Sequence, residues 1–255
     1  MGFPPFSFLK DKERASMPRF FCDHVLDDRI ILTGEDAIHL SRSLRVRIGE
    51  EITVCDGRCM DYLCTVENVS SEAVTLAVKK KTPCEAEPKQ AITLYQALPK
   101  GDKLDFIVQK AVELGASRIV PVQTRFCVAK SDARSFEKKR ARLQKIALEA
   151  AKQCGRGVIP EVGNLLSFKQ AADELGRQHG FVCYEKGGET IGTLIEKKKC
   201  SASVLIGSEG GLAEEEIRLL SEKGVLCASL GKRILRCETA PLAALTLILH
   251  TLGEL

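Results

Sequence analysis

Apolar and polar residues alternate over most of residues 19–81, which is the period of β-strands with one buried face. The predicted strands are residues 30–32, 51–55, 62–66 and 73–78. Asp56-Gly57-Arg58 predicts a tight turn, and residues 34–40 predict a turn that leads into a short helix. We therefore expect a small β-barrel over residues 17–82. Residues 83–89 interrupt the periodicity and are interpreted as a linker.

Residues 90–255 follow a different pattern, in which apolar runs typical of strands alternate with helical periodicity. The predicted strands are residues 91–97, 118–122, 180–184, 203–206 and 225–230. The predicted helices are residues 104–114, 135–153, 213–222 and 241–253. Such alternation is typical of an α/β domain with a mostly parallel sheet and helices on both faces. Ligands of these domains bind beyond the carboxyl ends of the strands.

Two loops at predicted strand ends are candidates for a binding site. The first, residues 206–212, contains Gly207, Gly210 and Gly211, whose backbones can approach a ligand closely. Its spacing is neither that of a dinucleotide-binding fingerprint nor that of a phosphate-binding loop. By itself the loop is weak evidence of function, because it is also explained as a turn that caps the following helix.

The second loop, residues 230–241, ends at Pro241, which is suited to begin a helix. Its backbone could hydrogen-bond an adenine edge while Leu235 packs on the ring, and Arg236 and Glu238 could face a reacting base. The alternative is a structural connection with surface charges. The two loops together are more specific than either alone.

Charge and composition indicate which kinds of partner and site the chain can have. Residues 118–156 hold eleven basic and three acidic side chains, a density that attracts a polyanion or merely solvates a helix face. No apolar run is long enough for a membrane helix. The eleven cysteines are odd in number and include no CxxC pair, so we expect reduced thiols in a cytoplasmic protein, with no metal site. Residues 1–16 lack a signal-peptide pattern and are interpreted as an extension without fixed structure.

Several ordered motifs resemble one family, and the resemblance spans residues 17–255. They are HLSRSLR at 39–45, QALPKGDK at 96–103, QKAVELG at 109–115, the stretch from Arg140 to Arg156 and the two glycine loops. The family is RsmE, the 16S ribosomal RNA uridine N3-methyltransferases of the SPOUT superfamily. One departure is Ser208, where family members usually have proline.

The resemblance implies a PUA-like RNA-binding barrel followed by a SPOUT methyltransferase domain tied in a trefoil knot. It also implies S-adenosylmethionine as cofactor, a homodimer, and ribosomal RNA of the small subunit, free or assembled, as partner. Residues expected to bind the cofactor are Leu205, Ile206, Gly207, Gly210, Gly211, Leu230, Gly231, Ile234, Leu235, Thr239 and Ala240.

Methylation at N3 requires loss of the uracil N3 proton, which a nearby base or cation promotes. Arg236 is the first choice for binding the uracil oxygens, because a planar guanidinium suits two carbonyl acceptors. Glu209 and Glu238 are candidates for base or orienting group, although either could serve only as a partner of a helix N-terminus. Residues expected to contact RNA are Arg42, Arg45, Lys100, Arg125, Lys138, Lys139, Arg142, Lys152 and Arg156.

Two alternatives stay open at this point. The chain could be a SPOUT methyltransferase with another target, such as a ribose 2′-OH, or a non-catalytic RNA-binding module with a degenerate cofactor loop. Arrest of primer extension at one uridine would identify N3 methylation, because it blocks base pairing and ribose methylation does not. Failure of the folded protein to bind S-adenosylmethionine would favour the non-catalytic module.

Overall fold

The chain forms two compact units. The computed structural model describes residues 19–22, 25–26, 28–178, 180–198 and 202–255. The first unit holds the described residues up to Glu87 together with Gly155–Val158, and the second holds Pro88–Cys154 and Ile159–Leu255. The expected extension at residues 1–16 lies outside the described residues.

The first unit is built on a five-stranded sheet that resembles a half-barrel. Its strands are β1 (Arg19–Phe21), β2 (Arg29–Thr33), β3 (Glu51–Cys55), β4 (Met60–Val69) and β5 (Ala73–Pro83). They lie in the order β1-β3-β4-β5-β2, and all neighbours are antiparallel except β1 and β3. The predicted short helix is α1 (Gly34–Ile38), which continues as a π-helical turn over His39–Ser43. The inward side chains of the strands pack with Ala37 and Leu40 of this segment in one core.

One boundary differs from the prediction, because β5 extends to Pro83 and so enters the expected linker. Its last residues are Lys79, Lys80, Lys81, Thr82 and Pro83, which carry no apolar alternation and therefore hide the strand in the sequence. The pairing with β4, in which Pro83 lies opposite Met60, holds this stretch in the sheet. Tertiary pairing here overrides a pattern that indicates a loop.

The second unit has an eight-stranded parallel sheet. Its strands are β6 (Ile92–Ala97), β7 (Arg118–Gln123), β8 (Glu161–Val162), β9 (Leu166–Ser167), β10 (Phe181–Cys183), β11 (Glu189–Thr190), β12 (Ala202–Ile206) and β13 (Leu226–Ser229). The order is β11-β13-β10-β12-β6-β7-β8, and β9 pairs with β7. All paired neighbours run parallel.

Six helices accompany this sheet in the described residues: α2 (Lys103–Glu113), α3 (Ala133–Cys154), α4 (Phe168–Arg177), α5 (Ile191–Lys198), α6 (Glu214–Glu222) and α7 (Ala240–Leu252). In β6, the neighbouring residues Leu94 and Tyr95 are both fully buried although they point to opposite faces. Tyr95 packs in one cluster with Ala171 of α4 and Leu220 of α6. Both faces of the sheet are therefore covered, which confirms the predicted α/β class.

Two helices were absent from the prediction, α4 and α5. The start of α4 carries a signal that the sequence did show, because Ser167 and Gln170 form a capping box. The Ser167 side chain accepts from the backbone N–H of Gln170, and the Gln170 side chain accepts from that of Ser167 at 2.9 Å. The trefoil knot expected from the resemblance stays a prediction.

Candidate active site

Three strands of the second unit end side by side, and the segments that follow them enclose a cavity of about 500 Å³. Strand β10 lies between β12 and β13 and pairs with both. Because parallel strands bring their carboxyl ends to the same edge, the loops after all three converge. The cavity is lined by residues 183–185 at the end of β10, 206–212 at the end of β12, and 230, 231 and 233–237 after β13, together with Lys103 and Ala240.

The first glycine loop folds back on itself after β12. Ser208 and Gly211 form a β-bridge, in which the Gly211 N–H donates to the Ser208 carbonyl at 3.0 Å. Gly211 has a φ of +68°, and a Cβ added at Gly207 would lie 3.2 Å from the Gly211 carbonyl carbon. A Cβ added at Gly210 would lie 2.8 Å from the Cβ of Phe126. The three glycines are thus required by backbone conformation or by close approach.

An ammonium group joins the two loops. Lys103, the first residue of α2, places Nζ 3.1 Å from Glu209 Oε1 and 3.1 Å from Glu238 Oε2. The backbone N–H of Lys100 donates to Glu209 at 3.1 Å, and the Cys237 thiol donates to Glu238 at 3.1 Å. Since Glu209 belongs to the first loop and Glu238 to the second, Lys103 connects both to the start of α2.

These contacts set the charges at the site. Burial alone raises the pKa of Glu209, but hydrogen bonds from the backbone N–H groups of Glu209 and Lys100 and from Lys103 lower it overall. Hydrogen bonds from Cys237 and Lys103 lower the pKa of Glu238. The two carboxylates, Glu209 first, raise the pKa of Lys103 to about 12. At neutral pH the lysine is therefore a cation between two carboxylate anions.

The second loop presents an unpaired guanidinium to the cavity. The N–H groups of Thr239 and Ala240 both donate to the Arg236 carbonyl at 2.9 Å, and this turn leads into α7. The Arg236 side chain is exposed and lines the cavity. It forms no ion pair within the part of the chain that the structure describes. This guanidinium is therefore free to bind a planar group with two acceptors.

The structure brings most of the predicted site residues together. The predicted residues that line the cavity are Ile206, Gly207, Glu209, Gly210, Gly211, Leu230, Gly231, Ile234, Leu235, Arg236 and Ala240. Glu238 reaches the same site through Lys103. Leu205 is fully buried in the core of the second unit, and Thr239 is an exposed residue at the start of α7. Neither is among the residues that line the cavity, so their assignment to the cofactor stays a prediction.

Sequence reasoning missed part of the lining, namely Lys103, Cys183, Tyr184, Glu185, Ser208, Leu212, Arg233 and Cys237. The segment after β10 could have been found, because the strand-end rule applies to every parallel strand and residues 180–184 were predicted as one. No local signal indicates that Lys103 reaches the two loops, since this contact depends on where α2 begins relative to the sheet.

The residues expected to contact RNA have different surroundings. Arg42 and Arg45 of the first unit are exposed, as are Lys100, Arg125, Lys138 and Arg142 of the second, while Lys139 and Lys152 are half-buried. Arg125 pairs with Glu215, and Arg142 pairs with Asp105. The expectation for Arg156 is wrong. Its side chain is only 3% exposed, and its NH2 group donates to Glu87 at 2.7 Å, so this charge is neutralised inside the first unit.

The described residues were searched for membrane-spanning helices and for metal-binding groups. None of the described helices has the length and apolar character needed to cross a membrane. A search of the same residues finds no group of three or more His, Cys, Asp or Glu side chains that could hold a metal ion.

Comparison with known proteins places both parts of the chain in one family. A family model described as an RNA methyltransferase domain matches residues 86–249, and one described as an RNA methyltransferase PUA domain matches residues 32–79. Ribosomal RNA small subunit methyltransferase E of Bacillus subtilis (strain 168) is 38% identical over 228 residues, which cover 85% of this chain and 88% of that protein. The protein of the same name from Mesomycoplasma hyopneumoniae (strain 232) is 31% identical, with coverages of 90% and 98%.

Solved structures agree with the sequence comparison. The ribosomal RNA small subunit methyltransferase E from Neisseria gonorrhoeae, bound to S-adenosyl methionine, superposes with a TM-score of 0.83 at 30% identity. The match covers 92% of this chain and 98% of that one. The chain therefore belongs to the ribosomal RNA small subunit methyltransferase E family of RNA methyltransferases.

Proposed function

We propose that this protein transfers a methyl group from S-adenosylmethionine to N3 of one uridine in the ribosomal RNA of the small subunit. The observation that carries the proposal is the cavity itself. Both glycine loops form its wall, and the free guanidinium of Arg236 lies in the same wall. This arrangement offers a pocket for a methyl donor directly beside a group that can hold a uracil.

The cavity suits S-adenosylmethionine in size and in chemistry. Its volume of about 500 Å³ falls within the usual range for small-molecule sites. Ile206, Leu212 and Leu235 supply apolar surface for a purine ring, and the glycine loops supply backbone N–H and C=O groups. The buried Ser208 hydroxyl has no hydrogen-bond partner among the described residues, as expected of a group that awaits a polar ligand. When bound, the cofactor supplies a methyl group activated by a sulfonium.

Arg236 and the two carboxylates have different roles in the reaction. The planar guanidinium of Arg236 suits the two carbonyl oxygens that flank N3, and its charge stabilises the uracil anion left when the N3 proton departs. Glu209 and Glu238 have lowered pKa values, so they are ionised but are weak bases. We infer that the N3 proton passes to solvent water, that Arg236 stabilises the resulting anion, and that the two carboxylates hold Lys103 and orient the loops.

Two thiols line the cavity without competing for the methyl group. Burial raises the pKa of Cys183 to about 12. Burial, followed by the hydrogen bond to Glu238, raises the pKa of Cys237 to about 12. Since the thiolate is the nucleophilic form of cysteine, both side chains remain protonated and inert at neutral pH. The site can therefore hold a reactive donor beside two sulfur atoms.

The basic surface supports an RNA substrate. Helix α3 carries Lys138, Lys139 and Arg142 within one turn, and Lys100 lies exposed close to Glu209. Cations of this kind neutralise phosphates and position an RNA without reading its sequence. The PUA-type unit has exposed cations of its own, Arg42 and Arg45, and we place its boundary with the methyltransferase unit within residues 83–89.

We also propose that the protein acts as a cytoplasmic homodimer. Exposed apolar side chains support this, since Ile234 at the cavity is 84% exposed and Leu247 on α7 is 43% exposed. A second copy of the chain could cover exposed apolar side chains such as these.

Mass spectrometry of ribosomal RNA from cells with and without this protein tests the reaction. We expect one uridine of the small-subunit RNA to carry N3 methylation only when the protein is present, with arrest of primer extension at the same position. Methylation of a ribose without arrest would replace the proposed target by a 2′-OH. Unchanged RNA together with no binding of S-adenosylmethionine would refute the enzymatic role.

A further inference from the structure

The loop that follows β7 exposes an aromatic ring that the methyl-transfer reaction does not use. Phe126 is 45% exposed, and Val128 two residues later is 65% exposed. Apolar side chains exposed two residues apart in one loop offer a small surface on which a ligand can pack.

The loop is held in place by buried groups. The carboxylate of Glu216, only 6% exposed, accepts from the backbone N–H of Arg125 at 2.8 Å and from that of Ala213 at 2.9 Å. Gln123 donates to the Ala129 carbonyl and accepts from the Ser131 N–H, both at 3.3 Å. A loop fixed at both ends presents its exposed ring in one place, which reduces the entropy lost on binding.

Phe126 also packs against a loop that lines the cavity. A Cβ on Gly210 would meet the Phe126 Cβ at 2.8 Å and the Phe126 Cγ at 3.5 Å, so Phe126 rests directly on the cofactor loop. Gly210 lines the cavity, whereas the face of the ring that solvent reaches lies outside it. Anything that stacks on Phe126 therefore lies beside a loop that lines the cavity.

Charge identifies the occupant. Arg125, which pairs with Glu215 on the surface, precedes the ring, and Lys130, which forms no ion pair among the described residues, follows it by four residues. Both side chains are exposed. Cations beside an aromatic face are the combination that binds single-stranded nucleic acid, in which phosphates meet the cations and a base stacks on the ring. A protein partner would instead require a wider apolar surface than one ring and one valine supply.

We propose that Phe126 is a stacking platform for an unpaired nucleobase of the RNA, next to the target uridine. This inference rests on the proposed function, because it assumes that the target base is delivered to the neighbouring cavity. The platform adds affinity through a π-face rather than through charge, and it fixes the path of the strand beside the cofactor loop.

The test compares Phe126→Leu with Phe126→Trp in the full chain. Leucine keeps the Cβ that contacts Gly210 and keeps an apolar side chain, but it lacks a π-face. The probe is a fluorescent RNA fragment that contains the target uridine in its unmethylated form. We expect Phe126→Leu to weaken binding by about 5-fold to about 100-fold, and Phe126→Trp to preserve it. Val128→Ala, in the same loop, should change the affinity by less than about 2-fold.

Three further measurements make the test specific. The slope of log K against log salt should stay unchanged in Phe126→Leu, because stacking releases no counterions. A series of fragments, each with one abasic site, locates the stacked base. Phe126→Leu should weaken binding of every fragment except the one that lacks the stacked base. Calorimetry should give the same affinity of Phe126→Leu for S-adenosylmethionine as the unmodified chain.

The outcomes separate this proposal from the proposed function. Equal RNA affinity of Phe126→Leu and the unmodified protein, or equal losses at every abasic position, would overturn the platform while methylation stayed intact. A change in sedimentation of Phe126→Leu would assign the ring to a protein interface and would also overturn it. If the unmodified protein does not methylate the RNA, but Phe126→Leu still has no effect on the fragment with one particular abasic site, the proposed reaction is refuted and the stacking platform is supported.

Discussion

The close approach of Gly210 to Phe126 predicts that one added methyl group at Gly210 distorts the cofactor loop. In Gly210→Ala, the new Cβ would lie 2.8 Å from the Phe126 Cβ and must move about 0.6 Å to reach an ordinary contact distance of 3.4 Å. Gly210 has no positive φ, so the strain is steric alone. Overpacking of this kind costs ~1–3 kcal/mol, offset by ~0.4–1 kcal/mol from the reduced entropy of the unfolded chain.

We therefore expect Gly210→Ala to lower the free energy of unfolding by about 1–2 kcal/mol and to weaken S-adenosylmethionine binding about 10-fold. Chemical denaturation and calorimetric titration measure these two quantities. Gly192→Ala is a matched control, because its added Cβ would approach nothing closer than 3.8 Å and it lies within α5. This control should be neutral or stabilising by up to ~1 kcal/mol.

A second substitution identifies the clashing atom. Phe126→Ala retains the Cβ and should not relieve the strain in Gly210→Ala, whereas Phe126→Gly removes it and leaves the Phe126 carbonyl oxygen at 3.5 Å as the nearest contact. The coupling in the double-mutant cycle with Phe126→Gly should be about 1–2 kcal/mol. Equal rescue by both variants, or full cofactor affinity in Gly210→Ala, would show that this contact does not shape the loop.

Other predictions concern the reaction and the RNA. Arg236→Ala should nearly abolish methylation while cofactor affinity stays within about 3-fold, and a near-normal single-turnover rate would remove Arg236 from the mechanism. Lys103→Met should lower both the cofactor affinity and the methylation rate, and Lys103→Arg should partly retain both. Equal activity of the two variants and the unmodified protein would show that the lysine does not organise the loops. Reversal of charge at Lys138, Lys139 and Arg142 together should weaken RNA binding and flatten its salt dependence, and an unchanged slope would reduce α3 to a solvated face. The carboxylates that contact Lys103 have lowered pKa values, so their ion pairs are complete above the ordinary carboxyl pKa and are lost only as pH falls through the lowered one. The methylation rate should therefore show no inflection from a carboxylate between about pH 6 and about pH 9, and such an inflection would identify a carboxylate base.

Local pattern was sufficient for the fold class and for most of the site. The alternation of residues 19–81 and the strand–helix order after residue 90 follow from which side chains must be buried, and burial leaves a periodic record in the chain. The glycines of residues 206–212 and the charged residues of 230–241 were found in the same way, because backbone freedom and charge are properties of single residues. The resemblance to a known family then supplied the cofactor and the target base.

Only the tertiary structure decided which of these residues meet, because sequence periodicity carries no record of long-range contacts. Strand β10 lies between β12 and β13, so the three loops share one cavity, and α2 begins where Lys103 reaches both carboxylates. Arg156 looked like its basic neighbours on α3, yet the fold buries it against Glu87. A charge is exposed or neutralised according to what packs beside it in space, and for Arg156 that partner lies 69 residues away in the chain.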